Sequence, residues 1–265
     1  MISQGEELRL LKAREYVVAK SNEVVRKSRY ELSTQEQKAI AYICSLIKPR
    51  SVKEIAMGVP PILEYEFNIR DYCRICGIDY DNGNNYIKIK ASLKGLRDKS
   101  YWLMLEDGTE TTISWINKVN CNKRSGIVKI RLDEDMIPYL FDLKEKFISY
   151  GLFSILAMKC QYSIRIYELL KSYTFQKSKT FEIDQLKKLL MVENIKSYSN
   201  FKDFRNRVLD KALKEINLYT DIEVAYETEL KGRKVVKVKF IMRKKDADDI
   251  GFSYAKIEKQ LGSVK

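Results

Sequence analysis

The 265 residues carry 49 Lys+Arg against 36 Asp+Glu and no histidine, giving a net charge of +13 and a pI near 9.3. With 45% hydrophobic and 32% charged residues, the composition excludes a disordered or fibrous chain and suits two modest domains with their own cores; the longest apolar runs, residues 40–47 and 148–158, fall short of the ~20 a membrane helix needs. Lack of histidine excludes Ser-His-Asp and Cys-His catalysis, histidine-ligated metal sites and the paired-histidine metal centre of rolling-circle nicking enzymes, while the cationic excess calls for a polyanionic partner.

Residues 1–14 are polar and charged, so no cleavable signal is expected at this end, and residues 1–16 read as a mobile end with no assigned role. Ser33 is positioned as an N-cap, with Glu36 completing a capping box. Ile40, Ile43, Cys44 and Ile47 then form a helical apolar stripe that stops at Pro49. A short second helix is predicted at Ile69–Cys76, ended by Gly77. The Asp81-Asn82-Gly83 turn leads into a third helix over residues 85–99, with Tyr86, Ile89, Leu93 and Leu96 on one face. Strand-like segments rich in β-branched and aromatic residues follow at 101–105, 111–119 and 126–132.

Five scattered cysteines, Cys44, Cys73, Cys76, Cys121 and Cys160, indicate reduced thiols in a cytoplasm. Cys73 and Cys76 fall on one side of the second helix and are read as small packed hydrophobes, not as half of a zinc site. No metal and no cofactor are expected.

The same order of elements then recurs. A helix is predicted over residues 154–172, in which Tyr162, Ile166, Tyr167 and Leu170 sit at helical spacing and read as core, not as nucleotide-stacking groups. Phe181-Glu182-Ile183-Asp184-Gln185-Leu186 echoes Phe67-Asn68-Ile69-Arg70-Asp71-Tyr72. Ala212-Leu213-Lys214-Glu215-Ile216 echoes Ser92-Leu93-Lys94-Gly95-Leu96. Strands at 221–227 and 234–242 flank a Leu230-Lys231-Gly232-Arg233 turn, matching the hairpin that ends with Val128-Lys129-Ile130-Arg131-Leu132. Helix, helix, helix, hairpin is the order of a winged helix-turn-helix. The expected fold is therefore α+β with two tandem winged-helix domains, at 1–150 (DNA contact) and 151–245 (the principal DNA reader), and a tail at 246–265 read as mobile.

Charge divides unevenly between the halves. Residues 1–153 hold 25 basic and 21 acidic side chains, whereas residues 154–245 hold 21 and 11, so the second copy is the stronger candidate for a polyanion site. Its third helix, residues 200–217, buries Phe201, Phe204, Val208, Leu209, Ala212, Leu213 and Ile216 on one side. The candidate DNA contacts here are Asn200, Lys202, Arg205, Asn206, Arg207, Lys211 and Lys214. Arg and Asn suit bidentate contacts to guanine and adenine, while Lys211, Lys214 and the wing residues Lys231, Arg233 and Lys234 suit phosphates. Arg205 fits poorly, because an ideal helical wheel turns it toward the apolar side. The first copy supplies a weaker set: Asn84, Lys88 and Lys94 on its third helix, Lys123 and Arg124 in its hairpin. Two linked readers would gain avidity.

These residues resemble the plasmid replication initiators of the Rep_3, or iteron-binding, family over residues 17–243. The most specific stretch is residues 201–217, FKDFRNRVLDKALKEIN, followed by Gly232-Arg233-Lys234 and the strand at 236–240. Val18-Ala-Lys-Ser-Asn22, Tyr30-Glu-Leu-Ser33 and Glu36-Gln37 resemble the family's opening motif. The resemblance implies two winged-helix domains that bind repeated origin sequences (iterons) as a monomer and help melt adjacent AT-rich DNA. It also implies recruitment of a host initiator and replicative helicase, and a homodimer, formed largely through the first domain, that represses its own gene at an operator inverted repeat. Members often have an arginine run where this chain reads Arg205-Asn206-Arg207; the central Asn departs from that pattern and implies adenine as its base partner.

The leading expectation is a plasmid replication initiator that acts on double-stranded origin DNA by binding and deformation, without catalysing covalent chemistry and without a membrane. A winged-helix transcriptional repressor uses the same surfaces and is the alternative. A tyrosine nicking nuclease is the third reading, disfavoured by the missing histidine and by the want of a compact carboxylate cluster.

Overall fold

The computed structural model describes residues 3–80, 83–143 and 146–262. Its first part runs α1 (Gln4–Arg14), β1 (Val17–Ser21), α2 (Asn22–Lys27), β2 (Ser28–Arg29), α3 (Thr34–Leu46), α4 (Val52–Ala56), β3 (Glu64–Asn68), α5 (Ile69–Cys76), α6 (Gly83–Asp98), β4 (Ser100–Met104), β5 (Glu110–Ser114), β6 (Ile116–Cys121), β7 (Ile127–Leu132), α7 (Ile137–Leu140) and β8 (Phe147–Gly151). The second runs α8 (Phe153–Leu156), α9 (Gln161–Lys171), β9 (Ser178–Glu182), α10 (Ile183–Leu189), α11 (Phe201–Phe204), α12 (Asp210–Tyr219), β10 (Ile222–Lys231), β11 (Lys234–Lys244) and α13 (Ala247–Leu261).

The internal repeat is real at the level of topology. In the first copy β3 leads into α5 and α6, and the sheet order is β3-β7-β6; in the second β9 leads into α10 and α11–α12, and the order is β9-β11-β10. Phe67 and Phe181 occupy equivalent buried strand positions, as do Leu93 and Leu213, Leu96 and Ile216 on the third helices. Each copy is a winged helix, and together they make the α+β fold. The first copy also holds an inserted sheet, β2-β4-β5, and the β1-β8 pair. The segment expected as one strand at 111–119 divides at Trp115, which is 1% exposed; β5 joins the inserted sheet and β6 the wing sheet. The domain boundary expected at 150/151 falls at the last residue of β8.

Local signals set the ends of the first copy's helices. Ser33 Oγ accepts from the Glu36 N–H and the Glu36 carboxylate accepts from the Ser33 N–H, closing the capping box at the start of α3. Gly77, at φ 65°, caps α5 in the left-handed region. Cys73 and Cys76 are buried on the inner side of α5, and burial pushes their thiols up to about 12 and about 11 respectively, which suits packed, protonated side chains. The turn at Asp81-Asn82 lies outside the described residues; α6 begins at Gly83.

Two expectations are corrected. The helix predicted over 154–172 is broken between α8 and α9. Cys160 provides no side-chain cap for α9, and the Glu215 carboxylate of α12 instead accepts from the N–H groups of Lys159 (3.0 Å) and Cys160 (3.2 Å), so a partner 55 residues away along the chain stabilises the break. Nor are the chain ends structureless. Helix α1 lies on α5, with Arg9 paired to Asp71 at 2.6 Å. Helix α13 packs Ile257 and Tyr254 against Phe153 and Ala157, with Tyr254 stacked on Phe153 at 3.9 Å between ring centroids. Its last turn reaches the first copy: a Cβ at Gly77 would lie 2.7 Å from the Leu261 carbonyl, and the buried Arg14 donates to Ile75 O, Arg74 O and Gly262 O.

A buried polar network ties α9 to the segment from β1 to β2 and to β8. Lys20 on β1 pairs with Glu168 on α9 at 2.6 Å, both side chains about 98% or more buried, and the Tyr150 hydroxyl donates to the same carboxylate. Burial opposes the Lys20 charge, but the Glu168 carboxylate outweighs it and raises the ammonium pKa above its ordinary value. Arg165, also on α9, donates to Val25 O and Ser28 O, each at 2.8 Å. These bonds satisfy charged groups that would otherwise be costly in the shared core.

Candidate nucleic-acid interface

In the second copy the third helix is one rod with an irregular middle: α11, a π turn over Arg205–Leu209, then α12. The Asp210 N–H bonds to the Arg205 carbonyl, five residues back. This wider turn resolves the misfit of Arg205. An unbroken 3.6-residue period turns it inward, whereas the added residue lets Phe204, Val208 and Leu209 stay fully buried while Arg205, Asn206 and Arg207 are all exposed. Lys202, Lys211 and Lys214 are exposed beside them. Asn200 is exposed too, but its side-chain oxygen caps the helix by accepting from the Lys202 N–H at 2.9 Å.

Carboxylates shape what this face presents. Arg207 lies 3.9 Å from Asp203 one turn earlier, and Arg205 lies 3.8 Å from Asp210. Arg205 also donates to the Asn206 side-chain oxygen at 3.3 Å. These are loose, exposed contacts, worth about 0–1 kcal/mol each, and a phosphate or guanine can replace them.

The wing is tied to this helix at two levels. Asn217 bonds both the N–H (2.7 Å) and the carbonyl (2.9 Å) of Val224. Two helical turns earlier, Asp210 accepts from the Tyr226 hydroxyl at 2.8 Å. Burial and the Asp210 carboxylate push that phenol up to about 12; Arg205 lies 3.8 Å from the same carboxylate, which places it on the hairpin side of the helix. From Tyr226 the strand runs five residues to Lys231, roughly 17 Å at strand rise. Along this stem charges are matched across the sheet: Glu229 with Lys237, Glu227 with Lys239, Glu223 with Arg243. At the tip they are not. Lys231, Arg233 and Lys234 are exposed, and among the described residues none of them has an ion-pair partner.

In the first copy a groove of about 1080 Å³ runs between α6 and the wing, lined by Lys90, Lys94, Arg97, Lys118, Lys123 and Arg124, with Asp98 the acidic member. Of the predicted set, Lys94, Lys123 and Arg124 meet here; Asn122 shapes the turn by accepting from the N–H groups of Arg124 and Ser125. Lys88 and Asn84 are exposed on α6 but do not line the groove. Lys88 is two residues, about 200°, away from Lys90 on the helix. Lys90, Arg97 and Lys118 were missed in the sequence, although the i, i+4 spacing of Lys90 and Lys94 was a usable signal.

The sequence matches the family described as Initiator Replication protein, WH1, over residues 17–171, and Initiator Rep protein, WH2, over residues 182–242. The chain belongs to the Rep3 initiator family. A replication initiation protein of Escherichia coli is 30% identical over 220 residues, which cover 80% of this chain and 66% of that protein. The PI protein of Escherichia coli is 30% identical over 147 residues, covering 49% and 48%. This Rep3 chain thus spans just under two thirds, and about half, of the lengths of these relatives. The crystal structure of Pi initiator protein in complex with iteron DNA superposes with a TM-score of 0.67 at 20% identity, covering 88% of this chain and 99% of that one, which shows a shared fold. In the Rep3 chain, α9 lies within the WH1 match while it packs on α12 of the WH2 match. Among the described residues, no helix is long and apolar enough to cross a membrane.

Proposed function

We propose that this chain is a plasmid replication initiator that binds repeated duplex sites at its origin, with α11–α12 in the major groove and the β10–β11 wing on the adjacent backbone. Asn206 and Arg207 contact bases; Lys202, Arg205, Lys211, Lys214, Lys231, Arg233 and Lys234 hold phosphates, and Asn200 supports the helix N-terminus. The groove of the first copy, with Lys94, Lys123 and Arg124, provides a second backbone contact, and Asn84 and Lys88 lie outside it. The observation that carries the reading is the exposed, cationic third helix fixed by Asp210 and Asn217 to a wing whose tip cations have no ion-pair partner among the described residues. The DNA in the Pi initiator complex supports it by analogy.

On this reading bound DNA is bent, adjacent AT-rich sequence opens, and a host initiator and replicative helicase are recruited; a homodimer represses the gene at an inverted repeat. The protein performs no covalent step. Four tyrosines, Tyr72, Tyr101, Tyr150 and Tyr167, are buried in the core with phenols pushed up by that burial, which suits packing and not attack on DNA. Hydroxyl-radical footprinting of the full chain on the DNA flanking its gene tests the proposal. Regularly spaced, repeated protections beside an AT-rich stretch are expected; a single operator over the promoter would instead make the chain a repressor. A covalent adduct on supercoiled DNA with Mg²⁺ would contradict the non-enzymatic assignment.

A further inference from the structure

The tip of the second wing combines charge with an apolar group. The last five residues of β10, Glu227–Lys231 in sequence order, are all exposed, so the hairpin projects past its own domain. Leu230 is 61% exposed at this projecting end. The ladder register shifts there: Glu229 faces Lys237 but Leu230 faces Val235, which leaves Val236 as the extra residue of a β-bulge. Beyond it, Lys231 faces Lys234 across a two-residue turn whose Gly232 has φ 63°. Like charges opposed in a ladder repel each other, and Arg233 adds a third cation between them. An anion seated at the tip relieves this repulsion. A solvated leucine alone needs no explanation, but one beside a bulge and three exposed cations that have no ion-pair partner among the described residues has the composition of a side chain that enters a minor groove between base pairs while its neighbours grip the two flanking phosphate strands.

We infer that Leu230 is an unstacking wedge: on duplex DNA the wing tip enters the minor groove, Lys231, Arg233 and Lys234 hold phosphates on either side, and Leu230 inserts at one base step and kinks it. This inference rests on the DNA-binding reading above and adds a residue and a mechanical role to it. Pyrimidine–purine steps, TA and CA/TG, unstack most readily, so the wedge also gives the wing a preference for such a step without hydrogen-bond readout.

The test uses the full chain and a duplex carrying the segment it protects, with 2-aminopurine placed at successive steps under the wing. Binding of the unaltered protein should raise the fluorescence severalfold at one step. At saturating protein, Leu230→Ala should lose that rise, Leu230→Met should keep it, and Lys231→Ala should bind more weakly but keep it. If Leu230→Ala binds the paired duplex too poorly to saturate, a duplex with a mismatch at that step, already unstacked, should restore its affinity. No fluorescence rise with the unaltered protein, an undiminished rise with Leu230→Ala, or equal loss of affinity on paired and mismatched duplexes would each overturn the wedge while leaving DNA binding in place. Failure of the unaltered protein to protect any duplex would instead remove the DNA-binding reading itself. Binding of Leu230→Ala to DNA unchanged in every respect, with loss of a protein partner, would reassign the tip to a protein contact.

Discussion

Asp203 and Asp210 set how much of the recognition helix's charge is free. Each lies at loose ion-pair distance from an arginine, so Asp203→Asn should release Arg207 and tighten binding to DNA of unrelated sequence by about two- to fivefold, measured by fluorescence anisotropy. Asn206 is one of the two residues proposed to read bases. Its side-chain oxygen accepts from Arg205 in the free protein, and turning that oxygen to an adenine amino group exchanges one bond for another. Asn206→Ala should relax discrimination at one base pair by about 1–3 kcal/mol in a set of singly substituted sites; uniform weakening at all sites would refute the contact. Residue-level signals of short range were legible in the sequence: the Ser33–Glu36 box, the Gly77 cap and the apolar face from Phe204 to Ile216. Glu215 as the cap of α9, or Glu168 as the partner of Lys20, was not, because each links residues 55 to 148 positions apart and no local pattern encodes such a pairing.

At the scale of elements, the π turn and α13 decide what the second copy can do. A wheel drawn at 3.6 residues per turn misplaces Arg205, since an inserted π residue changes the period only where it occurs. Helix α13, expected as a mobile end, was legible in the sequence: Ile250, Tyr254, Ile257 and Leu261 recur at helical spacing, and Phe153 and Ala157 receive part of that stripe. Ile257 is 2% exposed, so Ile257→Ala should cost about 2–5 kcal/mol and lower Tm by roughly 10 °C at 2–4 °C per kcal/mol. An unchanged melting curve would mean that α13 is an appendage and not a brace between the copies.

For the whole molecule, the buried Lys20–Glu168 pair locks α9, the helix on which α12 packs, to β1. Removing one partner strands the other charge in the core, so Glu168→Gln should destabilise the chain by about 3–5 kcal/mol, and Lys20→Met combined with Glu168→Leu should recover part of that loss, measured by urea unfolding. Because the Lys20 pKa is raised in the folded state, its contribution is fully present below the ordinary lysine value and fades only as pH rises through the folded one, so the lock should hold across neutral pH. The repeat of winged helices was legible in sequence because strand, helix and hairpin signals are local and occur twice; the interlocking of the copies was not. Their charge asymmetry was legible as well, and it leads to the central claim, that helix and wing cations of the second copy together hold a duplex. The direct measurement is the salt dependence of binding to the protected duplex for the full chain and for Arg207→Ala, Arg233→Ala and Lys234→Ala. The account predicts a steep linear fall of log K with log salt, with each of the two wing substitutions reducing the slope by about 0.9. Affinity indifferent to salt, or slopes unaltered by every substitution, would contradict it.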